Sequence, residues 1–553
     1  MEAKYEQPHT GGIVGAIWRW FDGTFLDLGR QFRWSYLPPL MIYLAAGVQG
    51  LTAIVGTFFI KEYLDLSAAF LAGLLFWAGI PWVLKMPIGH LVDLIWRRKA
   101  LLVYLGAALI TLSILIMYGV IAHTAAMDAV FRIEAWFVIA TLLAPTGYVI
   151  QDVVADAMTV EAVPTIDERG TPYSEREIKL MHTTMQTLGR FAIIGGLAAV
   201  AALNITMFSG VENMSEAMKI ETYSDIYLIA LVIPLLSVSG VILGGMMLRR
   251  RAQRLRELGE DHETIDKLLF APGEETHANW WILGGSLVFA VFTLTMGISQ
   301  VPLAQEIIFI GSMAIVLFLM YRLLLELEPD ARNMLVGTAV IIFVFRAVPL
   351  PGPGYGWFEI DELGFDQQFL SVLSLIASLL TLVGMVVLRP LMARRSIAYV
   401  VVLLTIAGGI LMLPNIGLYY GLHEWTSAHT AGVVDARFIA IVDTAIESPL
   451  GQIAMIPMLA WIARNAPSHL KATFFAVMAS FTNLALSASS LGTKYMNEIY
   501  TITREVRDRV TDTVTGAADY SELGMLLITA TVIAFTLPML AIVLVRLSPL
   551  RNA

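Results

Sequence analysis

Pro145-Thr-Gly-Tyr148-Val-Ile-Gln-Asp152-Val-Val-Ala-Asp156-Ala-Met-Thr-Val-Glu161 is the stretch on which the reading of this chain turns. It continues an apolar run, Ala135 to Leu143, of the kind that lies in a bilayer. An ionised Asp at the centre of a membrane helix costs about 2.5–3.5 kcal/mol on insertion scales, so two of them imply a use. Asp152 and Asp156 stand four residues apart, with Tyr148 one step earlier, which puts all three on one helix face. Lipid cannot cover that face; it must look into protein or into a water-filled cavity. The next apolar segment repeats His182, Gln186 and Arg190 every fourth residue. If the two helices meet at a turn around 162–180, Asp152 and Arg190 share a depth of roughly 13 Å. Arg190 is therefore the expected partner of Asp152, each offsetting the other's desolvation. The pair reads either as a structural link between two helices or as a substrate and proton site in a transport pathway.

Composition agrees with a membrane setting. Of 553 residues, 57% are hydrophobic and 15% charged, and mean hydropathy is +0.71, values of a polytopic membrane protein. The net charge of −9 does not set topology, which follows the local Lys/Arg bias. With no cysteine, disulfides, thiolate metal sites, Fe–S clusters and Cys nucleophiles are excluded. The basic clusters are short and flank membrane segments, so nucleic-acid binding has no support. No cleavable signal is expected, and Ile13 to Trp34, mixing Trp, Phe and Leu with Arg and Asp, reads as an interfacial helix on the membrane surface.

Hydropathy predicts spans near 37–60, 67–87, 99–122, 135–160, 181–205 and 225–248, then near 280–301 and 303–325, then near 332–350, 367–389, 396–418, 435–462, 470–492 and 522–547. The expected organisation is an N-terminal segment (1–36), a six-helix bundle (37–248), a charged connector (249–279), two additional helices (280–325) and a second six-helix bundle (332–547). The fold class is all-α and polytopic, with about fourteen spans. Arg97, Arg98, Lys99, the Arg249–Arg251 run, Arg394, Arg395 and Arg464 then fall on the side of both termini, which the positive-inside rule makes cytoplasmic. A multi-pass protein of the cell membrane is expected. The segment 493–521 carries half of the opposing charge and fits that topology least well.

The halves echo each other. Helix four of the first carries Asp152-x-x-x-Asp156 and helix four of the second carries Asp443-x-x-x-Glu447; Lys179 before Arg190 is matched by Lys471 before Asn483. A duplicated six-helix unit with acids at matching depths is transporter architecture, its site lying between the halves near the midplane. The extra pair is nearly free of charge, with Glu306 near a loop, and reads as a peripheral insertion.

Gly89-His-Leu-Val-Asp93-Leu-Ile-Trp-Arg97-Arg98-Lys99 follows the second span. It resembles the loop signature of the major facilitator superfamily. In that pattern Gly89 permits a tight cytoplasmic turn, and Asp93 pairs with Arg97 or Arg98 to latch the halves in one state. More stretches narrow the resemblance: Gly47-Val-Gln49-Gly50 with Phe58-Phe-Ile-Lys61-Glu62, Pro81-Trp-Val-Leu-Lys85, Asp152-Val-Val-Ala-Asp156 through Glu161, Arg346-Ala-Val-Pro349, and Pro467, Ala472-Thr473 through Asn483 to Gly492. Together these resemble the folate–biopterin transporter family, a branch of that superfamily. The Lys-Pro of the family pattern is here Lys85-Met86-Pro87, and Lys471 stands where an acid is usual.

The resemblance implies a secondary carrier of a folate- or pterin-like solute working by alternating access, with a coupling proton. A pterin ring presents an amino and ring N–H edge that a carboxylate accepts in a paired geometry, a task open to Asp152, Asp156, Asp443 or Glu447. An anionic glutamyl tail calls for Arg190 or Arg346, while Gln49 and Asn483 offer neutral hydrogen bonds or interhelical contacts. No cofactor or metal is expected, and the partners are a small-molecule substrate, a proton and the lipid bilayer around a monomer. Two alternatives stand beside this: a major-facilitator carrier of an unrelated solute, and an intramembrane enzyme using Asp-x-x-x-Asp to hold magnesium-bound diphosphate. The second would need a denser acidic cluster. The absence of Gly-x-x-x-x-Gly-Lys-Ser/Thr excludes a P-loop ATP-driven pump.

Overall fold

The computed structural model describes residues 27–550 apart from 65, 84, 165–170, 258, 270–279, most of 281–300, 326, 388–395, 449–470 and 508–513. Long apolar segments in lipid must close their backbone hydrogen bonds internally, and the described chain is helical nearly throughout. The first half holds α1 (Leu37–Val48), α2 (Ala53–Tyr63), α3 (Ala68–Val83), α4 (Lys85–Leu94), α5 (Ala100–Ala122), α6 (Ile133–Ala162), α7 (Glu175–Met207), α8 (Glu216–Ala230) and α9 (Val232–Glu257). These group into the six expected spans, α1–α2 and α8–α9 each being one interrupted span and α3–α4 falling in the single run Ala68–Val92. After α10 (His262–Leu269) and α11 (Ala304–Leu324), the second half follows: α12 (Pro329–Arg346), α13 (Pro353–Asp361), α14 (Gln367–Val387), α15 (Ile397–Tyr419), α16 (Ala436–Glu447), α17 (Lys471–Ile499) and α18 (Leu523–Leu547).

Among the described residues, nine helices are long and apolar enough to cross a membrane. The spans expected near 280–301 and 435–462 run into residues outside the described set, as do most of the interfacial segment Ile13–Trp34 and Pro467. The connector expected at 249–279 begins inside a helix, because α9 continues to Glu257. The segment 493–521 holds the last turns of α17 and then an antiparallel ribbon, β1 (Val506–Arg507) with β2 (Val514–Gly516).

Lipid tails are as apolar as leucine, so helices associate in a bilayer through close packing and hydrogen bonds. The α1–α7 contact shows the packing term. A Cβ on Gly47 would lie 2.0 Å from the carbonyl oxygen of Ile193, and one on Gly196 2.8 Å from that of Leu44, so these backbones meet only because both residues are glycine. The halves join along α3 with α17 and along α7 with α14. One buried cluster, including Phe59, Phe208, Tyr223, Trp357 and Leu523, spans both halves. Helix direction puts Arg97, Lys99 and Arg249–Arg251 at one end of the bundle, called here the basic end, and Lys61, Asp361 and Tyr520 at the far end.

Candidate transport site

The span α3–α4 builds the site around a proline. Pro87 has no N–H, so it cannot donate to the carbonyl of Val83 four residues earlier. The second half supplies the donor Val83 lacks and adds one beside it: Ser480 Oγ donates to the Val83 carbonyl (3.2 Å) and Asn483 Nδ2 to that of Trp82 (3.1 Å). Asn483, expected to face a ligand or a neighbouring helix, therefore spends its amide on the first half's backbone. Two residues before Pro87, Lys85 reaches α6.

Lys85 Nζ lies 2.6 Å from Asp152 Oδ2 and 2.8 Å from Asp156 Oδ2. Tyr43, from α1, donates its hydroxyl to Asp156 Oδ1 at 2.6 Å. Its ring lies against Gly189, where a Cβ would come within 2.9 Å of the ring carbons. Next to the acids, Gln151 is buried and donates to the Val103 carbonyl and to Ser237 Oγ, which fixes α6 against α5 and α9. The rotation of α6 is thereby set, and Asp152 and Asp156 point the other way, toward Lys85. The Asp156 side chain is 45% accessible and that of Asp152 16%. Tyr148, expected on the same face, is buried in the apolar core.

The expected Asp152–Arg190 pair is not formed. Arg190 is exposed on α7, and among the described residues the ion pairs of Asp152 and Asp156 go to Lys85 alone. A third helix supplies the partner instead: Lys85 of α4 reaches both acids, which matching depths along α6 and α7 does not indicate. Arg190's neighbour Gln186 donates to Thr159 Oγ1 on α6.

The first span of each half is interrupted. Between α1 and α2 a 3₁₀ turn covers Gln49–Thr52, and Gln49 is exposed there. Between α12 and α13 the chain Ala347-Val-Pro349-Leu-Pro351-Gly352 leaves the helix directly after Arg346. A ladder on α17 receives it: Ser489 Oγ donates to the Val348 carbonyl (2.6 Å), Leu350 N–H to Thr493 Oγ1 (2.9 Å), and Asn497 Nδ2 to the Pro351 carbonyl (3.1 Å). Arg346 is half-buried, and its Nε has no hydrogen-bond partner among the described residues. Interrupted helices at corresponding positions of two repeats are where carriers place their binding sites.

The second half treats its acids differently. Asp443 is nearly buried and accepts one hydrogen bond, from Asn415 Nδ2 at 3.3 Å, while its Oδ1 is without a partner. Tyr355 donates to Asn415 Oδ1 at 2.8 Å, which orients that amide toward the acid. Glu447, one turn on, is exposed. At the far end Lys61 pairs with Asp361, which also accepts from the Tyr520 hydroxyl. Arg504 donates to the Lys61 and Leu66 carbonyls and stacks its guanidinium 4.8 Å from the Trp357 ring centroid. These contacts tie the ends of α2 and α13 together across the two halves.

Of the expected gating loop, Gly89 makes no turn. It lies inside α4 with helical φ, 3.9 Å (as a built Cβ) from Val153, and the reversal is made by the 3₁₀ turn Trp96–Arg98. Arg97 and Arg98 are exposed there; the side chain of Asp93 is outside the described set.

This geometry meets what known proteins show. The model of the BT1 family matches residues 46–551. The chain belongs to the BT1 family. The folate-biopterin transporter of Synechocystis sp. is 24% identical over 464 residues, 83% of this chain and 74% of that protein. Two solved structures share the BT1 chain's fold at 12% identity. One is a POT family transporter in complex with 5-aminolevulinic acid (TM-score 0.57; 94% of this chain, 96% of that one), the other a POT family transporter in complex with thioalcohol conjugated peptide (0.56; 96% and 98%). The fold is of the major-facilitator type, and this BT1 protein is a multi-pass membrane transporter, not an enzyme. The diphosphate reading also meets a physical obstacle: between Asp152 and Asp156, where a divalent cation would sit, stands the ammonium of Lys85. Among the described residues no group of three or more His, Asp or Glu could hold a metal ion.

Proposed function

We propose that this protein is a proton-coupled secondary carrier of a folate- or pterin-like solute, with the first-half cluster as its coupling site. The observation that carries this reading is Lys85 shared between Asp152 and Asp156. With all three ionised the cluster holds one negative charge in excess, and a single proton removes it. Moving a neutral cluster past a low-dielectric region costs far less than moving a charged one. A pterin's amino and ring N–H donors compete with Lys85 and Tyr43 for the same carboxylates, which links solute binding to the state of the cluster. Arg346, with Nε unpartnered, receives the anionic tail; Gln49 supplies a neutral contact at the matching break in the first half. Asp443 and Glu447 line the second-half side of the path. Opening at the far end requires the Lys61–Asp361 pair to part, and the basic end is cytoplasmic by its charge.

The test is flux into proteoliposomes of purified protein, with folate and biopterin as probes after a melting-temperature screen that includes peptides and nucleosides. Asp152→Asn and Asp156→Asn each abolish or uncouple uptake while the protein still inserts. Wild-type uptake by both variants, with unchanged pH dependence, removes the proposal.

A further inference from the structure

A cavity of about 1200 Å³ opens at the basic end of the first half, beside α5 and α9, and neither Asp152 nor Asp156 lines it. Its charge is one-sided. Seven cations line it, among them Arg33, Lys99, Arg249, Arg250, Arg251 and Arg254, against a single acid, Glu161. That acid is already paired with Lys99, whose ammonium also sits 4.1 Å over the Trp96 ring, and Arg33 is engaged by Tyr173. No ion pair among the described residues neutralises Arg249, Arg250, Arg251 or Arg254. Like charges crowded around one concavity repel unless an anion enters it.

The cavity is also amphiphilic along one line. Ile242, Met246, Arg250 and Arg254 repeat every fourth residue of α9, so they form one stripe whose apolar half passes into its basic half. Ile242 and Met246 are 49% and 47% exposed, and Tyr104 of α5 is exposed beside them. A free phosphate matches only the arginines. A molecule with an anionic head and an acyl tail matches the whole stripe, with its head at the level of the basic residues and its tail beside α5 and α9.

We infer that this cavity is a binding site for the headgroup of an anionic phospholipid from the leaflet at the basic end. Head-group contacts of this kind hold the ends of α5 and α9 together by charge and add to stability when the lipid is present.

The experiment uses the full-length protein, delipidated in neutral detergent, and three probes: dioctanoyl-phosphatidylglycerol, dioctanoyl-phosphatidylcholine and inorganic phosphate. Phosphatidylglycerol is expected to raise the melting temperature by about 5 °C at saturation, and the other two by less than about 1 °C. In Arg250→Gln/Arg251→Gln/Arg254→Gln most of that shift is lost, while Arg546→Gln, an exposed cation in the other half, keeps it. Native mass spectrometry reads retained lipid independently of melting, so a destabilised triple variant is replaced by Arg250→Gln and Arg254→Gln singly, each expected to retain less phosphatidylglycerol. Equal shifts from both lipids, a shift from inorganic phosphate alone, or undiminished retention in the arginine variants each overturn the inference.

Discussion

Replacing Lys85 with methionine keeps an unbranched apolar stem and removes the one cation between two carboxylates. Stranding a buried charge by deleting its partner costs about 3–5 kcal/mol. Asp152, with a side chain 16% accessible, approaches that range. Asp156 is 45% accessible and retains the Tyr43 hydroxyl, so solvent screens its share down to about 0–1 kcal/mol. The expected loss is therefore about 3 kcal/mol, which lowers the melting temperature by roughly 6–12 °C for a cooperative unit of 150–250 residues. If the same interaction is needed in the transport cycle, uptake falls about 100-fold. The decisive comparison is the double variant. Lys85→Met/Asp152→Asn removes the stranded charge together with its partner and regains at least half of the lost stability, whereas Lys85→Met/Arg190→Ala is additive. Melting curves of wild type, the three single variants and the two double variants in one detergent check this. A Lys85→Met/Asp152→Asn protein that melts as low as the sum of its single losses refutes the shared-cation geometry.

Ser480→Ala with Asn483→Leu leaves the Val83 and Trp82 carbonyls without side-chain donors, at about 1–3 kcal/mol each; Pro87→Ala in the Ser480→Ala background returns an N–H to Val83 and offsets that part, as melting temperatures will show. The natural absence of cysteine permits single-site labelling without background. A Gln49→Cys reporter is expected to react several-fold faster with a membrane-impermeant thiol reagent from the far end once Lys61→Met is added, and an unchanged rate shows that the Lys61–Asp361 pair does not close that end. At the start of α7, the hydroxyl and backbone N–H of Ser174 both donate to the Glu177 carboxylate and hold its pKa below the usual value. A depressed folded pKa gives stability that is present above the unfolded value and lost as pH falls through the folded one. Intrinsic-rate-corrected hydrogen exchange in the first turn of α7 should therefore quicken below about pH 4.5, and in Glu177→Gln this acid dependence should be absent.

What was legible in the sequence follows from the cost of the feature. Two carboxylates inside an apolar run are expensive, so Asp152 and Asp156 stand out with no structure in hand, and the apolar periodicity outlines all six spans of the first half. The partner stays hidden because it stands on a third helix, which equal depths along α6 and α7 do not point to. Lys85, a lone lysine between Pro81 and Pro87 in an apolar run, is the available signal. Gly89 fits a turn by its local sequence, yet a glycine can equally sit in a helix, and the local sequence does not distinguish the two cases. Gln49 and Arg346 were singled out as polar residues in apolar surroundings; that each adjoins a helix interruption could have been suspected from Gly47 and Gly50 in one case and from Pro349, Pro351 and Pro353 in the other. The Lys61–Asp361–Tyr520 contact joins residues far apart in the chain, and no local pattern announces such a meeting.

The two halves repeat an acidic pair at helix four but give it opposite surroundings, and this bears on how the proposed cycle would run. In the first half the acids are cross-linked by a cation and a phenol, so all but one negative charge is balanced within the protein. In the second, Asp443 has one neutral amide at 3.3 Å and an oxygen with no donor. A buried carboxylate left that way is costly when charged and is relieved by any donor that arrives. A solute bringing N–H groups therefore gains more by engaging Asp443 than by displacing Lys85, which must be given somewhere to go. The order this suggests is engagement of the second half first, with the first-half cluster opening only as a proton makes Lys85 dispensable to one of its two acids. Asp443→Asn then weakens solute binding at every pH, while Asp156→Asn leaves binding nearly intact and flattens the pH dependence of flux. Titration calorimetry with folate and biopterin beside proteoliposome flux separates the two; identical defects from both substitutions refute the division of labour.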